Sequence, residues 1–478
     1  MLKSSTYLCT ELFWSKQMKL VIVKANQVGR RIKIASMLIL LLTSSSLAFE
    51  LPKQSSFFVM DGSCCGGEDS DPHAVHGFET AKGAFILSGK IIDESGLEDG
   101  FVVKVPHSLP EDTIFLHEEE EFNVDWSVKI GIPNKREGIN AAAELNGAIF
   151  AGGYLENQRG IIESHLIKLD EATGAVVWTR SFPSEYKNTE GAIESIIRLS
   201  DNGLLIAGVK NSRPGTLEGF KSYGNPVTGD AYIMYFSEKQ VDLDSAPVNP
   251  AWEIVLTGAK SVKHAEEIPL LDGYILAAHA HGEEATAKVI KISLNGQLQW
   301  ELDIPNHGEL TAIAATEEGY FLSGHKTDEF GGIDASISMI SLNGKFVWNK
   351  TYGNPTDGNS IFSGLEGGDP KLIYDECWSI TRFRSGLVVA CGTGIEECEE
   401  LGVSLRAVCE DDPRTTWRSY LIHIDLSGNL IWQRASSFTF DDDDDVPSTA
   451  SEWVFTTRHG DLASVVDLDF GIGIEILK

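Results

Sequence analysis

The chain has 478 residues, of which 42% are hydrophobic, and its formal net charge is −31 at pH 7. Such an acidic surface repels phosphate backbones, so we exclude nucleic acid as a partner. Glycine is plentiful, with 46 residues, and no long stretch repeats its apolar residues at helical spacing. Both features predict an all-β chain that is rich in turns.

The first 48 residues differ from the rest of the chain. They hold seven lysines and arginines, one acid, and an apolar run of about ten residues before Ser46-Leu47-Ala48. This is typical of a signal peptide, because a membrane-spanning helix needs ~20 apolar residues. We expect a secreted or periplasmic protein whose residues 1–48 are cleaved, which changes the net charge to −37. An uncleaved anchor is the alternative and would be the only membrane attachment, and Met18 is an alternative start.

Residues 49–478 form one predicted repeat domain. Ile292–Trp300 (ISLNGQLQW) and Ile340–Trp348 (ISLNGKFVW) lie 48 residues apart and match at five positions. The five matches are the run Ile-Ser-Leu-Asn-Gly, and the final tryptophan is a sixth. The Asn-Gly pair suits a type I′ turn and predicts a hairpin that ends on a tryptophan. A companion hairpin, such as Leu310–Gly324, follows each copy. Four short strands in about 48 residues are typical of one β-propeller blade.

The companion hairpin recurs along the whole domain and sets the predicted number of blades. We count seven such hairpins, which predicts seven four-stranded blades, with six or eight as alternatives. The hairpins are Phe78–Gly89, Ala141–Gly152, Ile196–Gly208, Ile268–Ala278, Leu310–Gly324, Trp378–Gly392 and Trp453–Val465.

Six repeats end on a tryptophan at one register. We predict that these rings pack between neighbouring blades, with stacking on a ligand as the alternative. They are Trp126, Trp178, Trp252, Trp300, Trp348 and Trp432.

The last repeat stops at Lys478 before any tryptophan strand. An unpaired sheet edge is normally avoided, so we expect the apolar residues 57–60 to supply the missing strand and close the ring. Three insertions, near 106–122, 211–229 and 393–417, interrupt the repeats. Insertions in such arrays tend to lie on one face, which is often the binding face.

Six cysteines follow the predicted leader, and an even number in an exported chain suggests disulfides. Cys398 and Cys409 share one insertion and are the preferred pair. Cys377 and Cys391 flank one predicted hairpin and could pair, but their register looks offset. Neighbouring Cys64-Cys65 is either a strained redox or ligand-stacking element, or two cysteines that are reduced or paired elsewhere.

Acids stand near the start of the first strand of most companion hairpins, and a histidine takes this place in the first. If that strand is the innermost one, the carboxylates would surround one mouth of a central channel and attract cations. Polar strand ends that meet water are the alternative. The residues are Glu137, Glu190, Glu266, Glu309, Glu376, Glu452 and His76.

Other acidic clusters, such as 118–121 and 441–445, read as solvated loops, with Ca²⁺ binding as the alternative. None has EF-hand or nonapeptide spacing. We assign no cofactor and leave the identity of any metal open. We find no nucleophile elbow, phosphate loop, zinc-binding helix motif or Ser–His–Asp set, so no catalytic residue is assigned.

The motif LDEATGAVVW at Leu169–Trp178 resembles the repeat of the pyrroloquinoline-quinone-like, or quinoprotein-dehydrogenase-like, propeller superfamily. Across about 130–435 the chain is similar in style to exported bacterial propeller-repeat proteins, as in Leu271–Ala277 and Trp348–Asn354. The resemblance implies a propeller. Through its dehydrogenase members it also implies an enzyme with a quinone, Ca²⁺ and a neighbouring-cysteine disulfide, to which Cys64-Cys65 invites comparison.

Non-enzymatic members of the same superfamily are scaffolds that bind other proteins. Because no catalytic set is found, we expect an exported binding module or scaffold for a protein or a small ligand. A quinone- and Ca²⁺-dependent dehydrogenase is the alternative. The channel mouth and the face that bears the three insertions are the expected binding surfaces.

Overall fold

The structure is a computed structural model, and it describes residues 54–61, 71–92, 97–106, 113–116, 124–215, 228–243, 245, 249–281, 287–327, 332–353, 374–394, 417–436, 448–468 and 471–478. Within these residues the chain is all-β except for the short helix α1 (Glu238–Val241) and one 3₁₀ turn (Pro269–Leu271). No helix in this described part has the length and apolarity that a membrane crossing requires. The predicted leader 1–48 and its predicted cleavage site lie outside it.

Strands β1 to β14 cover the first half of the chain. They are β1 (Gln54–Asp61), β2 (Asp71–Glu79), β3 (Phe85–Ile92), β4 (Glu98–Val105), β5 (Thr113–Leu116), β6 (Trp126–Ile130), β7 (Glu137–Leu145), β8 (Ala148–Glu156), β9 (Ile162–Asp170), β10 (Val176–Phe182), β11 (Glu190–Arg198), β12 (Leu204–Ser212), β13 (Asp230–Phe236) and β14 (Trp252–Leu256).

Strands β15 to β29 cover the second half. They are β15 (Ala259–Glu267), β16 (Tyr274–Ala280), β17 (Ala287–Ile292), β18 (Leu298–Asp303), β19 (Glu309–Ala315), β20 (Tyr320–Thr327), β21 (Ile333–Ile340), β22 (Phe346–Tyr352), β23 (Tyr374–Phe383), β24 (Gly386–Gly394), β25 (Arg418–Asp425), β26 (Leu430–Ser436), β27 (Thr449–Thr456), β28 (Leu462–Leu468) and β29 (Gly471–Leu477).

Hydrogen bonds divide these strands into six sheets. Four sheets have four strands each: β2-β3-β4-β6, β7-β8-β9-β10, β11-β12-β13-β14 and β15-β16-β17-β18. The next sheet has eight strands, β19 to β26, and the last has five, in the order β27-β28-β29-β1-β5. The first strand of each hairpin pair contacts its counterparts in the neighbouring pairs, so β2, β7, β11, β15, β19, β23 and β27 surround a central channel. The fold is a single all-β propeller.

The predicted count of seven separate four-stranded blades is wrong. Five of the observed sheets are separate blades of four or five strands, and the sixth is twice the usual width. Its width comes from one parallel bridge between Ile333 of β21 and Tyr374 of β23, which joins β19–β22 to β23–β26. Sequence periodicity locates hairpins, but it carries no information about a bridge between two of them.

The sequence patterns explain which strands lie inside. Inner and middle strands are buried on both faces because each sheet packs between two others, so they are almost continuously apolar, as in β16 (YILAAHA). The outermost strands alternate or are largely exposed, as in β18 (LQWELD). The burial of successive sheets against each other, at roughly 25 cal/mol per Å² of apolar surface, is the main source of stability.

The N-terminal strand β1 closes the ring, as predicted. It pairs antiparallel with the C-terminal strand β29, with Phe57 opposite Glu475 and Met60 opposite Ile472. Strand β5, from the predicted insertion 106–122, then pairs in parallel with β1 as a fifth strand. The edge that β1 would present is therefore covered by another part of the chain.

Each inner strand contains a β-bulge at an equivalent register. The pairing with the second strand of the hairpin shifts by one residue, and the bulged residue has no counterpart opposite it. The bulged residues are Val75, Asn140, Glu194, Lys263, Thr311, Trp378 and Glu452.

The bulge in β23 corrects the interpretation of the cysteines. Cys377 and Cys391 looked offset when counted from the turn, but the bulge at Trp378 shifts the register and sets Cys377 directly opposite Cys391. The two buried cysteines form a disulfide bond. Cys64, Cys65, Cys398 and Cys409 lie outside the described residues, so those pairings stay predictions.

The repeat tryptophans lie on the outermost strands and face the neighbouring hairpin. A Cβ atom added to the turn residue Gly174 would lie 2.7 Å from Trp126, and one added to Gly344 would lie 2.9 Å from Trp300. Trp178 instead donates its indole N–H to the carbonyl oxygen of Leu243 at 3.2 Å. Ring and glycine therefore approach each other at a distance that leaves no room for a side chain.

The turns at Asn295-Gly296 and Asn343-Gly344 differ from the predicted type I′ form. Gly296 and Gly344 have positive φ, of 80° and 75°, whereas the asparagines do not. The Asn146-Gly147 turn does have both residues at positive φ. The prediction of hairpins is correct at these places, and the register shift beside each longer turn accommodates its extra residue.

Candidate functional site

A cavity of about 550 Å³ opens at the end of the central channel where the inner strands terminate. Its size falls within the ~300–1,000 Å³ typical of small-molecule sites. It is lined by the second halves of β2, β7 and β11, by parts of β15 and β27, and by the turns that follow β2 and β27. The lining residues are His76–Ala81, Ala141–Glu144, Glu194–Arg198, His264, Trp453, Phe455 and Arg458.

Two histidines flank Trp453 in this lining. The ring of Trp453 lies 4.5 Å from that of His76 and 5.3 Å from that of His264. Burial lowers the pKa of His76 to about 3 and the pKa of His264 to about 4. Both imidazoles are therefore neutral at pH 7, and each offers one N–H donor and one acceptor nitrogen.

Two buried polar atoms of the lining have no hydrogen-bond partner among the described residues. They are Nδ1 of His76 and Oγ1 of Thr80. Their residues are 8% and 0% exposed. Leaving a buried polar group unsatisfied costs about 1–3 kcal/mol, so both atoms favour a bound molecule that supplies the missing hydrogen bond.

A polar network joins three consecutive inner strands at their bulged positions. Asn140 donates from Nδ2 to Oε1 of Glu194 at 2.9 Å, and Nζ of Lys263 lies 3.3 Å from Oε2 of Glu194. Burial raises the pKa of Glu194 to about 7, although Lys263 and Asn140 oppose the change. The bulges set these three side chains together, because each one lies outside the hairpin ladder.

The rim of the cavity is held by charged groups from the strand ends. The Arg458 guanidinium binds Glu79 at 3.1 Å between Nε and Oε1, across the junction of the last and first sheets. Glu144 accepts a hydrogen bond from the backbone N–H of Ala81 at 2.5 Å. Arg198 is exposed at the end of β11. The cavity walls are therefore fixed by contacts between different sheets.

The predicted ring of acids does not assemble at one level. Glu137, Glu190 and Glu309 begin their strands, Glu376 and Glu452 lie further along, and Glu266 is the second-last residue of β15. Since the cavity lies at the strand ends, the first three face the opposite end of the channel. His76 lines the cavity, and a ligand or cation role for the six acids stays a prediction.

Three of these acids have perturbed pKa values. Burial raises the pKa of Glu266 to about 7, although the backbone N–H of Ala315 donates to its Oε2 at 2.6 Å. Burial raises the pKa of Glu137 to about 7, although the backbone N–H of Ile132 donates to Oε1 at 3.0 Å. Burial works against charge on Glu309, but its contact with His325, 3.4 Å between Oε2 and Nε2, lowers the pKa of Glu309 and raises the pKa of His325. Glu309 is therefore paired within the protein.

Sequence reasoning missed Glu194, His264 and Trp453. Glu194 and His264 lie mid-strand, where polar residues on inner strands have no periodic signature. Trp453 carried a usable signal, because it occurs on the first strand of a companion hairpin rather than at the end of a repeat.

The described residues do not supply a metal centre. They contain no group of three or more histidine, cysteine, aspartate or glutamate side chains placed to hold a metal ion. The acidic runs 118–121 and 441–445 and the Cys64-Cys65 pair lie outside the described ranges. We therefore assign no metal site within the described residues.

Comparison with solved structures finds a synthase and several dehydrogenases. Hydrazine synthase of Kuenenia stuttgartiensis matches with 10% identity and a TM-score of 0.44, covering 88% of this chain and 95% of that chain. A europium-containing methanol dehydrogenase matches with 9% identity and a TM-score of 0.42, covering 85% and 93%. A quinohemoprotein alcohol dehydrogenase from Comamonas testosteroni matches with 10% identity and a TM-score of 0.42, covering 89% and 76%.

The neighbours include two dehydrogenases, one of them a quinohemoprotein. At these TM-scores and identities, however, the matches carry no argument about the activity of this chain. No protein-family model and no curated protein sequence matches it.

Proposed function

We propose that this propeller is a binding protein that takes a small molecule into the cavity at the channel mouth. The observation that carries the proposal is the pair of buried, unpartnered polar atoms, His76 Nδ1 and Thr80 Oγ1, in a cavity of about 550 Å³. Other buried side-chain atoms among the described residues also lack a partner, but only these two belong to the cavity lining, where a bound group can complete their hydrogen bonding.

The rest of the lining supports the same proposal. Phe78, Trp453 and Phe455 offer apolar surface, while Glu194 and His264 offer a few polar groups. A predominantly apolar wall with sparse, fixed polar groups is typical of ligand sites. Export through the N-terminal segment remains part of the proposal.

The test is a ligand-observed NMR screen of a small-molecule library, with native mass spectrometry to find any molecule retained on the purified protein. We expect molecules that bind the wild type and lose binding in His76→Phe. The matched control is His423→Phe, because His423 is also buried and packs on Trp432 but does not line the cavity. The proposal is wrong if no molecule binds, or if His76→Phe binds every molecule as well as the wild type does.

A further inference from the structure

The two most buried carboxylates of the lining are each paired with a cation. Glu79 is paired with Arg458, and Glu194 with Lys263. Of the remaining rim charges, Glu144 accepts a backbone hydrogen bond and Arg198 is exposed. Both lining histidines are neutral, since burial lowers their pKa values. The most buried carboxylates of the lining are therefore already paired, whereas Glu144 and Arg198 lie at the solvent-accessible rim, so a charged ligand would bring an uncompensated charge into the buried part of the site.

The polar groups of the lining can pair with a ligand that carries both hydrogen-bond donors and acceptors. His76 and Thr80 have unpartnered atoms, and a threonine hydroxyl can donate as well as accept. The Ser195 hydroxyl accepts the backbone N–H of Ala265 at 3.1 Å, so its own proton is available to donate. His264 contacts the Ile313 backbone through Nδ1, so Nε2 is its remaining nitrogen for a ligand. Ligand hydroxyl groups suit this set, because each donates and accepts.

The apolar part of the lining consists of aromatic rings beside small side chains. Phe78, Trp453 and Phe455 supply aromatic rings, and Ala141–Ala143 supply small side chains that leave room beside them. A saturated ring presents C–H groups that pack against aromatic faces, while its hydroxyl groups point outward from its edge.

On this basis, and resting on the proposed function, we infer that the ligand is an uncharged polyhydroxylated ring of the carbohydrate class. Its hydroxyl groups bond to His76, Thr80 and Ser195, and its apolar face packs against Trp453. Thr80 Oγ1 and His76 Nδ1 determine specificity, because neither atom has another hydrogen-bond partner among the described residues.

The experiment is calorimetric titration of the wild type with uncharged and charged probes. The uncharged probes are D-glucose, D-xylose, cellobiose and myo-inositol, and the charged ones are tetramethylammonium and benzoate. Each is titrated at pH 7 in 0.15 M and 0.5 M NaCl. We expect at least one uncharged probe to bind with a Kd that changes less than about two-fold with salt, since no ion pair is screened.

Variants then locate the binding. Thr80→Val removes a hydroxyl while keeping the shape of the side chain, and His76→Phe removes the ring nitrogens. We expect each substitution to raise the Kd of the probe that binds the wild type by about ten-fold, which is the effect of one lost hydrogen bond. We expect His423→Phe to leave that Kd unchanged. Circular dichroism of each variant establishes that it has folded.

The results distinguish an error in the carbohydrate class from an error in the proposed function. If only tetramethylammonium or benzoate binds, and His76→Phe abolishes that binding, the carbohydrate class is wrong but the cavity is still the ligand site. If no probe of either type binds while molecules of the library do, the class is likewise wrong. If neither probes nor library molecules bind, the proposed function itself is wrong. A sugar that binds equally well to both cavity variants contradicts the assigned contacts.

Discussion

In the proposed site, His76 lowers the stability of the ligand-free protein and supplies a polar atom to the ligand. Its Nδ1 is buried without a partner among the described residues, and its ring lies on Trp453. Phenylalanine at this position keeps the ring contact and removes the unsatisfied nitrogen. We predict that His76→Phe raises the free energy of unfolding by about 1–3 kcal/mol in urea titrations without ligand. Destabilisation of the variant would show that the imidazole already has a partner.

The raised pKa of Glu194 makes the stability of the protein depend on pH. Burial raises its pKa to about 7, so between pH 4.5 and 7 the folded protein holds more protons than the unfolded chain. The stabilisation from Glu194 is therefore complete below pH 4.5 and declines as the pH rises through 7.

We predict that unfolding free energies of wild type and Glu194→Gln diverge over this range. From pH 4.5 to 8, the wild type should lose on the order of 2–3 kcal/mol relative to the variant. Urea titrations at several pH values measure the difference, and exposed Glu317→Gln is the control. Parallel profiles for wild type and Glu194→Gln would mean that Glu194 ionises normally.

At the scale of elements, two glycine substitutions can separate the contribution of the contact between a repeat tryptophan and the next hairpin from that of backbone strain. Gly174 and Gly147 have φ of 71° and 75°, but a Cβ at Gly174 would meet Trp126 at 2.7 Å, whereas nothing lies within 4 Å at Gly147. Both substitutions to alanine carry the backbone strain of a positive φ, about 1 kcal/mol.

We therefore predict that Gly174→Ala destabilises the protein by about 1–3 kcal/mol more than Gly147→Ala, because only the former forces a ring out of place. Thermal or urea unfolding of the two variants measures the difference. Equal losses would mean that Trp126 moves aside without cost.

The closing strand β1 is a second element that can be tested. Deletion of residues 1–61 removes the partner of β29 and of β5, and so exposes a sheet edge. We predict a lower Tm and concentration-dependent aggregation, observed by calorimetry and light scattering. Deletion of residues 1–53 retains β1 and is the control. A 1–61 deletion that melts like its control would show that β1 is dispensable.

How far the sequence predicts this fold depends on the range of each interaction. The hairpins and the tryptophan register follow from local turn and strand patterns, and the closing role of residues 57–60 follows from the strand that the last repeat lacks. The bridge of Ile333 to Tyr374 and the docking of β5 on β1 depend on tertiary approach, so the blade count was wrong and the fifth strand unforeseen. The bulges, which pair Cys377 with Cys391, have no sequence signature that we recognised.

The candidate site was less predictable than the fold for a related reason. The acids were expected at one mouth because they stand near strand starts, yet the cavity lies at the strand ends, where Glu194 and Trp453 contribute. These side chains come from strands more than 250 residues apart. Only the closure of the sheets around an axis brings them together, and only His76 was named in advance.

For the whole molecule, the central claim is that a ligand binds where the inner strands of several sheets converge. Hydrogen–deuterium exchange with mass spectrometry, on the wild type with and without a saturating bound probe, tests it most directly. We predict that protection rises in 76–81, 141–144, 194–198 and 453–458 together, because these segments line one cavity. Protection confined to the insertions near 211–229 and 393–417, or to the starts of β7, β11 and β19, would contradict the account.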